Sequence, residues 1–199
     1  MRTWPAASNL LLPGGRDSLT CCEKSGPEWQ KALQTSSMKN VQSIPQKIYT
    51  REALLKKAAQ LRFLQKTIAF TNGCFDILHR GHIASLSQAA TEADFLVVGL
   101  NSDQSTRRLK GENRPVNDEQ ARALVLASLI MVDAVVIFEE DTPQELITAL
   151  LPDVLVKGGD YRPEQIAGAR EVIAAGGRVV INPIVEGYST TGIIAKMRS

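Results

Sequence analysis

The chain of 199 residues has little that would tie it to a charged polymer, a membrane or an oxidising compartment. Its net charge is only +2, with a pI near 8.5, a basic excess too mild to build a nucleic-acid or membrane surface. No apolar run approaches the roughly 20 residues that a membrane-spanning helix requires. Cysteine is scarce: Cys21 and Cys22 are adjacent and Cys74 stands alone, which supports neither a disulfide framework nor a CxxC metal spacing. A reducing, cytoplasmic setting is the simplest reading. Histidine is scarcer still, since only His79 and His82 occur, with Arg80 and Gly81 between them.

What is present is an ordinary globular composition, 44% hydrophobic and 22% charged, with room for one core. Residues 1–45 are rich in Ser, Gly, Pro and polar side chains without sustained periodicity and read as a weakly ordered extension. Their apolar cluster, Leu10 to Leu12, is shorter than the ~7–15 residues of a signal-peptide core, and Met38 offers an alternative start. The domain is therefore expected over residues 46–199.

Within it the pattern alternates. Thr50 caps an expected helix over 51–64, with Leu54, Leu55, Ala58, Leu61 and Leu64 at helical spacing. Its basic residues, including Lys56, Lys57 and Arg62, read as a solvated face. Strands are expected at 67–70, at the continuous apolar run 94–100, at 132–138, in DVLVKGG and at 177–183. Helices are expected from His82 to Thr91, over ARALVLASLI behind a capping box of Asn117 and Gln120, from a second box of Thr142, Pro143 and Glu145 through Leu150, and over 163–174. The acid-rich FEEDTPQE then reads as a dipole-complementing helix start rather than a metal site. Short strands alternating with helices predict an α/β fold, Rossmann-like, with a doubly wound five-stranded parallel sheet and flanking helices. Ligands of such sheets bind beyond the carboxyl ends of the strands. FDILHRGH, NSD, KGGD and EGYSTT each follow a predicted strand, so all four gather on that edge.

The stretch Ile68 to Ser85 is the organising element, a buried strand, a Gly-containing turn and the start of a helix. His79 and His82 fall three apart, on one helical face. They sit where free N–H groups and the positive dipole end favour an anion. Gly81 lets a ligand or another backbone come close. Together these residues form a plausible phosphate clamp.

HRGH, preceded by FTNGCFD, resembles the His-x-Gly-His signature of the nucleotidyltransferase superfamily. NSD, RRLKGENRP, FEEDTPQEL, DVLVKGGDY and EGYSTT resemble one branch of it, the D-glycero-β-D-manno-heptose 1-phosphate adenylyltransferases, from about Thr50 to the C-terminus. The resemblance implies transfer of an adenylyl group from ATP to a sugar phosphate. His79 and His82 would bond the α- and β-phosphate oxygens, and Lys110, in the loop after the second strand, would meet the triphosphate, with Arg114 and Arg122 as weaker candidates. Thr71, Asn72, Phe75 and Gly81 would contact the nucleotide, as would Lys157, Gly158 and Asp160 on the base or ribose side. Ser189, Thr190 and Thr191 would hold the β- and γ-phosphates at the start of the last helix, near IIAKM. Asp76, Asn101, Asp103 and Arg114 would face the sugar phosphate. Mg²⁺ would ride mainly on phosphate oxygens, without a protein cage.

One departure bears on the nucleotide. Glycerol-phosphate cytidylyltransferases carry Arg-Thr-x-Gly-Ile-Ser-Thr-Thr, whereas the corresponding run Ile184 to Thr191 lacks that arginine, which favours adenylyl over cytidylyl transfer and leaves GTP open. The resemblance also implies small-molecule partners, neither nucleic acid nor membrane, and a homo-oligomer as in many relatives. The chain has no room for the sugar kinase that is often fused to this domain, so a stand-alone transferase is expected. The segment Arg107 to Arg114 is expected to be a loop that closes over triphosphate. Two alternatives stay open: a nucleotidyltransferase for another acceptor such as glycerol 3-phosphate, and a nucleotide-binding module without turnover.

Overall fold

The computed structural model describes residues 41–159, 162, 165–183 and 187–198, which belong to one compact unit, Asn40–Ser199. Its strands are β1 (Ile48–Tyr49), β2 (Ile68–Gly73), β3 (Phe95–Asn101), β4 (Ala134–Phe138), β5 (Val154–Gly158) and β6 (Arg178–Asn182). Its helices are α1 (Arg51–Phe63), α2 (Arg80–Ala90), α3 (Asp103–Lys110), α4 (Glu119–Ala127), α5 (Gln144–Leu150), α6 (Ala169–Ala174) and α7 (Thr190–Arg198). All strand pairs are parallel, in the order β1-β4-β3-β2-β5-β6. The chain runs outward from β2 through β3 to β4, then returns to the other side of β2 as β5 and β6. The winding therefore reverses between β2 and β5, and the crevice beyond their carboxyl ends is the natural ligand position.

The strands are buried on both faces because helices cover both. Ile68 and Phe70 join α1 and α5 through Leu54, Ala58, Leu61, Leu146, Ile147 and Leu150. Ala69, one residue out of phase, joins the opposite cluster with Leu86 and Ala89 of α2 and Ala123, Leu126 and Ala127 of α4, as the alternation of strand side chains requires. Each buried Leu, Ile or Phe contributes about 1.5–3 kcal/mol of transfer free energy to this layering. Glycine has a steric role at Gly99, where a Cβ would come within 2.6 Å of Cζ of Phe70.

The expected fold stands, with six strands instead of five. The additional one, β1, is only two residues long and pairs with Val135 and Val136. It is too short for a periodic signal. Just before it, Ile44 packs on the α2/α4 side of the sheet, and Nζ of Lys47 donates to the carbonyls of Leu129 and Val132 at 3.3 and 2.7 Å.

Helix boundaries shift where capping was read from spacing alone. The cap of α4 is Asp118, whose carboxylate accepts from the Ala121 N–H at 2.8 Å, and not Asn117. Helix α5 begins at Gln144 with no side-chain cap, so the Thr142 box does not form. Helix α6 starts at Ala169, later than expected. Of the segment Arg107 to Arg114, expected to be a loop, residues 107–110 belong to α3 (Asp103–Lys110), with Ser102 accepting from the Ser105 N–H at 3.1 Å as its cap.

Candidate functional site

At the switch point β2 ends in Gly73, and the chain turns through Cys74 and Phe75 toward α2. Phe75 adopts φ +44°, a left-handed conformation uncommon for a bulky side chain. Its ring sits 5.2 Å from that of His82, and a Cβ on Gly73 would come within 3.1 Å of it. Next in the chain, Asp76 is wholly engaged inside the protein. Its carboxylate accepts from Nε of Arg114 at 2.5 Å and from the N–H groups of Val116 and Asn117 at 2.7 and 3.1 Å. Its backbone carbonyl accepts from Nδ2 of Asn117 at 3.0 Å. This clasp fixes the entry to α2.

A second clasp lies beside it. Arg122 is only 2% exposed and donates to the carbonyls of Cys74, Asn101 and Asn117 at 2.5, 2.9 and 3.0 Å, and to Oδ1 of Asp103 at 2.7 Å. One guanidinium thus joins the exits of β2 and β3 to the start of α3, using the planar fork that suits it to such bonding. Asn101 donates from Nδ2 to Oγ of Ser105 at 2.9 Å, and the N–H of Asp103 reaches Oε2 of Glu119 at 2.8 Å.

These clasps hold the two histidines at the start of α2. His79 is the N-cap residue in extended conformation, and its side chain caps nothing. The imidazoles of His79 and His82 stack, with centroids 3.9 Å apart and planes at 20°. Gly81 makes this possible, since a Cβ there would come within 3.0 Å of Cε1 and 3.1 Å of Nδ1 of His79. The room that glycine leaves is taken by the His79 ring. Both Nδ1 atoms are buried, and neither has a hydrogen-bond partner among the described residues. Burial lowers the pKa of His79. Burial, reinforced by His79 and only partly opposed by the carbonyl of Ile77, lowers that of His82 to about 4. Near neutral pH both rings are uncharged donors.

The histidines line a cleft of about 660 Å³, within the usual range for small-molecule sites. Across it, Nζ of Lys157 donates to Oδ1 of Asn72 at 3.0 Å. Burial lowers the pKa of Lys157, with Cys74 opposing and Lys110 reinforcing the shift, so the two lysines feel each other across the cleft. The start of α7 closes another side. Oγ of Ser189 accepts from the Gly192 N–H at 3.0 Å, and Oγ1 of Thr190 donates to the Ile77 carbonyl at 3.4 Å.

Twelve residues singled out from the sequence line this one cleft: Asn72, Phe75, Asp76, His79, His82, Asn101, Lys110, Arg114, Lys157, Ser189, Thr190 and Thr191. Thr71, Gly81, Gly158 and Asp103 lie outside the lining, and Asp160 lies outside the described residues. Lys110 reaches the cleft from the last turn of α3 rather than from a loop. Sequence reasoning missed Gly73, Cys74, Leu109, the run Asp141 to Pro143, Gln165 to Ala167, and Tyr188. A signal existed for Asp141 to Pro143, which follow β4 after Glu139 and Glu140 and so reach the same sheet edge. The acidic side chains here are committed to ion pairs, Glu140 to Arg51 and Asp141 to Arg108, the latter at 2.6 Å.

Comparison with known proteins gives a consistent relationship. A family model described as cytidylyltransferase-like matches residues 70–196. The chain is 55% identical over 153 residues to the bifunctional protein HldE of Acidiphilium cryptum, covering 77% of this chain and 32% of that protein. Against the bifunctional protein HldE of Mesorhizobium japonicum it is 61% identical over 133 residues, covering 67% and 27%. It thus spans about a third of the length of these curated relatives. A pantoate-beta-alanine ligase from Francisella tularensis is 18% identical with a TM-score of 0.51, covering 73% of this chain and 69% of that one, a likeness of fold alone.

Proposed function

The chain belongs to the cytidylyltransferase-like family, and from that premise we propose that it transfers an adenylyl group from ATP to D-glycero-β-D-manno-heptose 1-phosphate, releasing pyrophosphate. The observation that carries the reading is the stacked, uncharged pair His79 and His82 at the open start of α2, facing Lys110 and Lys157 across one cleft. The likeness to the HldE proteins, together with the NSD, KGGD and EGYSTT blocks, supports the choice of acceptor.

In this reading an oxygen of the sugar 1-phosphate attacks the α-phosphorus of ATP. The new P–O bond forms as the bond from that phosphorus to the oxygen bridging to the β-phosphate breaks, and that oxygen leaves with pyrophosphate. No protein atom bonds covalently to the substrate, so the rate depends on alignment and on donors aimed at developing charge. The imidazole N–H groups of His79 and His82 bond α- and β-phosphate oxygens. Lys110 and Lys157 neutralise the triphosphate. Ser189, Thr190 and the N–H groups opening α7 hold the terminal phosphates, and Asn72 with the β5 exit holds the nucleoside. Arg114 and Asn101 frame the acceptor side, with Asp76 and Asp103 fixing its walls through the clasps described above. Among the described residues no group of three or more His, Cys, Asp or Glu is placed to hold a metal ion. We infer that Mg²⁺ enters on the nucleotide's own phosphate oxygens, as part of the substrate.

No helix of the described residues is long and apolar enough to cross a membrane, and we assign the reaction to the cytoplasm, where ATP is available. An acceptor panel tests the proposal. With MgATP, the purified protein should form ADP-heptose at least about tenfold faster than the products of glycerol 3-phosphate or phosphoethanolamine, the discrimination expected of a site built around acceptor hydroxyls. Equal rates with glycerol 3-phosphate would remove the heptose assignment.

A further inference from the structure

Arg80, the residue between the two histidines that the clamp itself leaves unused, is exposed on the first turn of α2. Among the described residues no carboxylate pairs with it. Its guanidinium rests on Tyr188 instead, with Cζ 5.7 Å from the ring centroid and one N–H reaching the phenol oxygen at 3.4 Å. That distance is at the far edge of hydrogen-bond geometry. Tyr188 lines the cleft and directly precedes Ser189 and Thr190 at the start of α7. A Cβ on Gly81 would lie 3.5 Å from Cβ of Tyr188, so the openings of α2 and α7 are in close contact here. The arginine therefore stands beside the adjoining openings of α2 and α7, next to the cleft-lining Tyr188 though outside the lining itself, and among the described residues its side-chain partner is that neutral phenol.

We propose that Arg80 is a further binding residue of this site, leaving Tyr188 on nucleotide binding to take the β,γ-phosphate portion of the triphosphate. This rests on the reading given under Proposed function. The β,γ portion is the most highly charged group handled in the reaction, and a guanidinium matches phosphate oxygens with two parallel N–H bonds. Tyr188 offers one marginal hydrogen bond and a ring face, which makes it a holding position that an anion displaces. The same contact keeps the guanidinium aimed at the start of α7 before the nucleotide arrives.

Calorimetric titrations with ATP, inorganic tripolyphosphate and AMP, each with Mg²⁺, test this on the full chain and on Arg80→Ala and Arg80→Lys. The alanine variant should bind ATP and tripolyphosphate on the order of 10- to 100-fold more weakly, with AMP affinity unchanged and lysine recovering part of the loss. ATP binding by Arg80→Ala equal to that of the parent protein would overturn the proposal. So would an unchanged ATP affinity combined with a raised KM for the sugar phosphate, which would assign Arg80 to the acceptor. A parent protein that binds neither ATP nor tripolyphosphate would instead refute the nucleotidyltransferase reading on which the inference rests.

Discussion

A neutral imidazole donates one hydrogen bond and carries no charge of its own, so its pKa decides what it can do beside a polyphosphate. His82 is held uncharged by burial and by its stacked neighbour, down to about pH 4. An unfolded chain would protonate the same residue near 6.5. Between those values the unfolded state binds more protons, so stability is full above about 6.5 and falls as pH drops toward 4. Denaturant unfolding measured across that window should show the decline, and His82→Asn should flatten it. An equal decline in the variant would mean that other groups are responsible. Gly81 makes a steric prediction at the same scale. Gly81→Ala brings a methyl against the His79 ring, which must shift by a few tenths of an ångström on its stack with His82. Turnover should fall by up to about 10-fold, since alignment at the reacting phosphates is sensitive to small displacements, while the thermal midpoint stays near that of the parent protein. Unchanged turnover would show that the stacked arrangement is not the working one. Of these features only the pairing of the histidines was legible in the sequence. Their lowered pKa comes from burial and, for His82, from the neighbouring His79 as well, which spacing does not encode.

At the scale of elements, the start of α2 is held by two clasps that reach far along the chain. Arg122 bonds residues 48, 21 and 19 positions away as well as the nearby Asn117. Removing it leaves three carbonyls and the Asp103 carboxylate without their donor, so Arg122→Leu should lower unfolding stability by about 3 kcal/mol. Denaturant titration checks this, and a loss below about 1 kcal/mol would show that the carbonyls find other donors. From sequence, Arg122 reads as a candidate for the triphosphate, because a buried arginine and a ligand-binding one are the same letter until their surroundings are known. Helix α3 escaped notice for a related reason. Its residues DQSTRRLK include a single apolar side chain, so no hydrophobic periodicity marks it, and it forms because Ser102 caps its start and Ser105 and Thr106 pack inward. In consequence Lys110 reaches the cleft from the last turn of a helix instead of a free loop.

At the scale of the whole molecule, the order of strands and helices was legible because each strand is a short apolar run and each turn carries its own punctuation. The convergence of the site followed from one topological rule, that parallel strands deliver their exits to a single edge. What the rule does not supply is which side chains on that edge face the cleft. Asp76 lines it with a carboxylate already saturated by protein donors, and Asp141 to Pro143 line it too although their stretch reads as a solvated helix start. The central claim is that this edge transfers an adenylyl group using the histidine pair. Pyrophosphate release by the purified protein with Mg²⁺ and heptose 1-phosphate, compared across ATP, CTP and GTP, tests it most directly, with His82→Ala as the control. Release with ATP should exceed that with the other two and fall in the variant by on the order of 100- to 1,000-fold. Release that persists in His82→Ala, or no release with ATP, would contradict it.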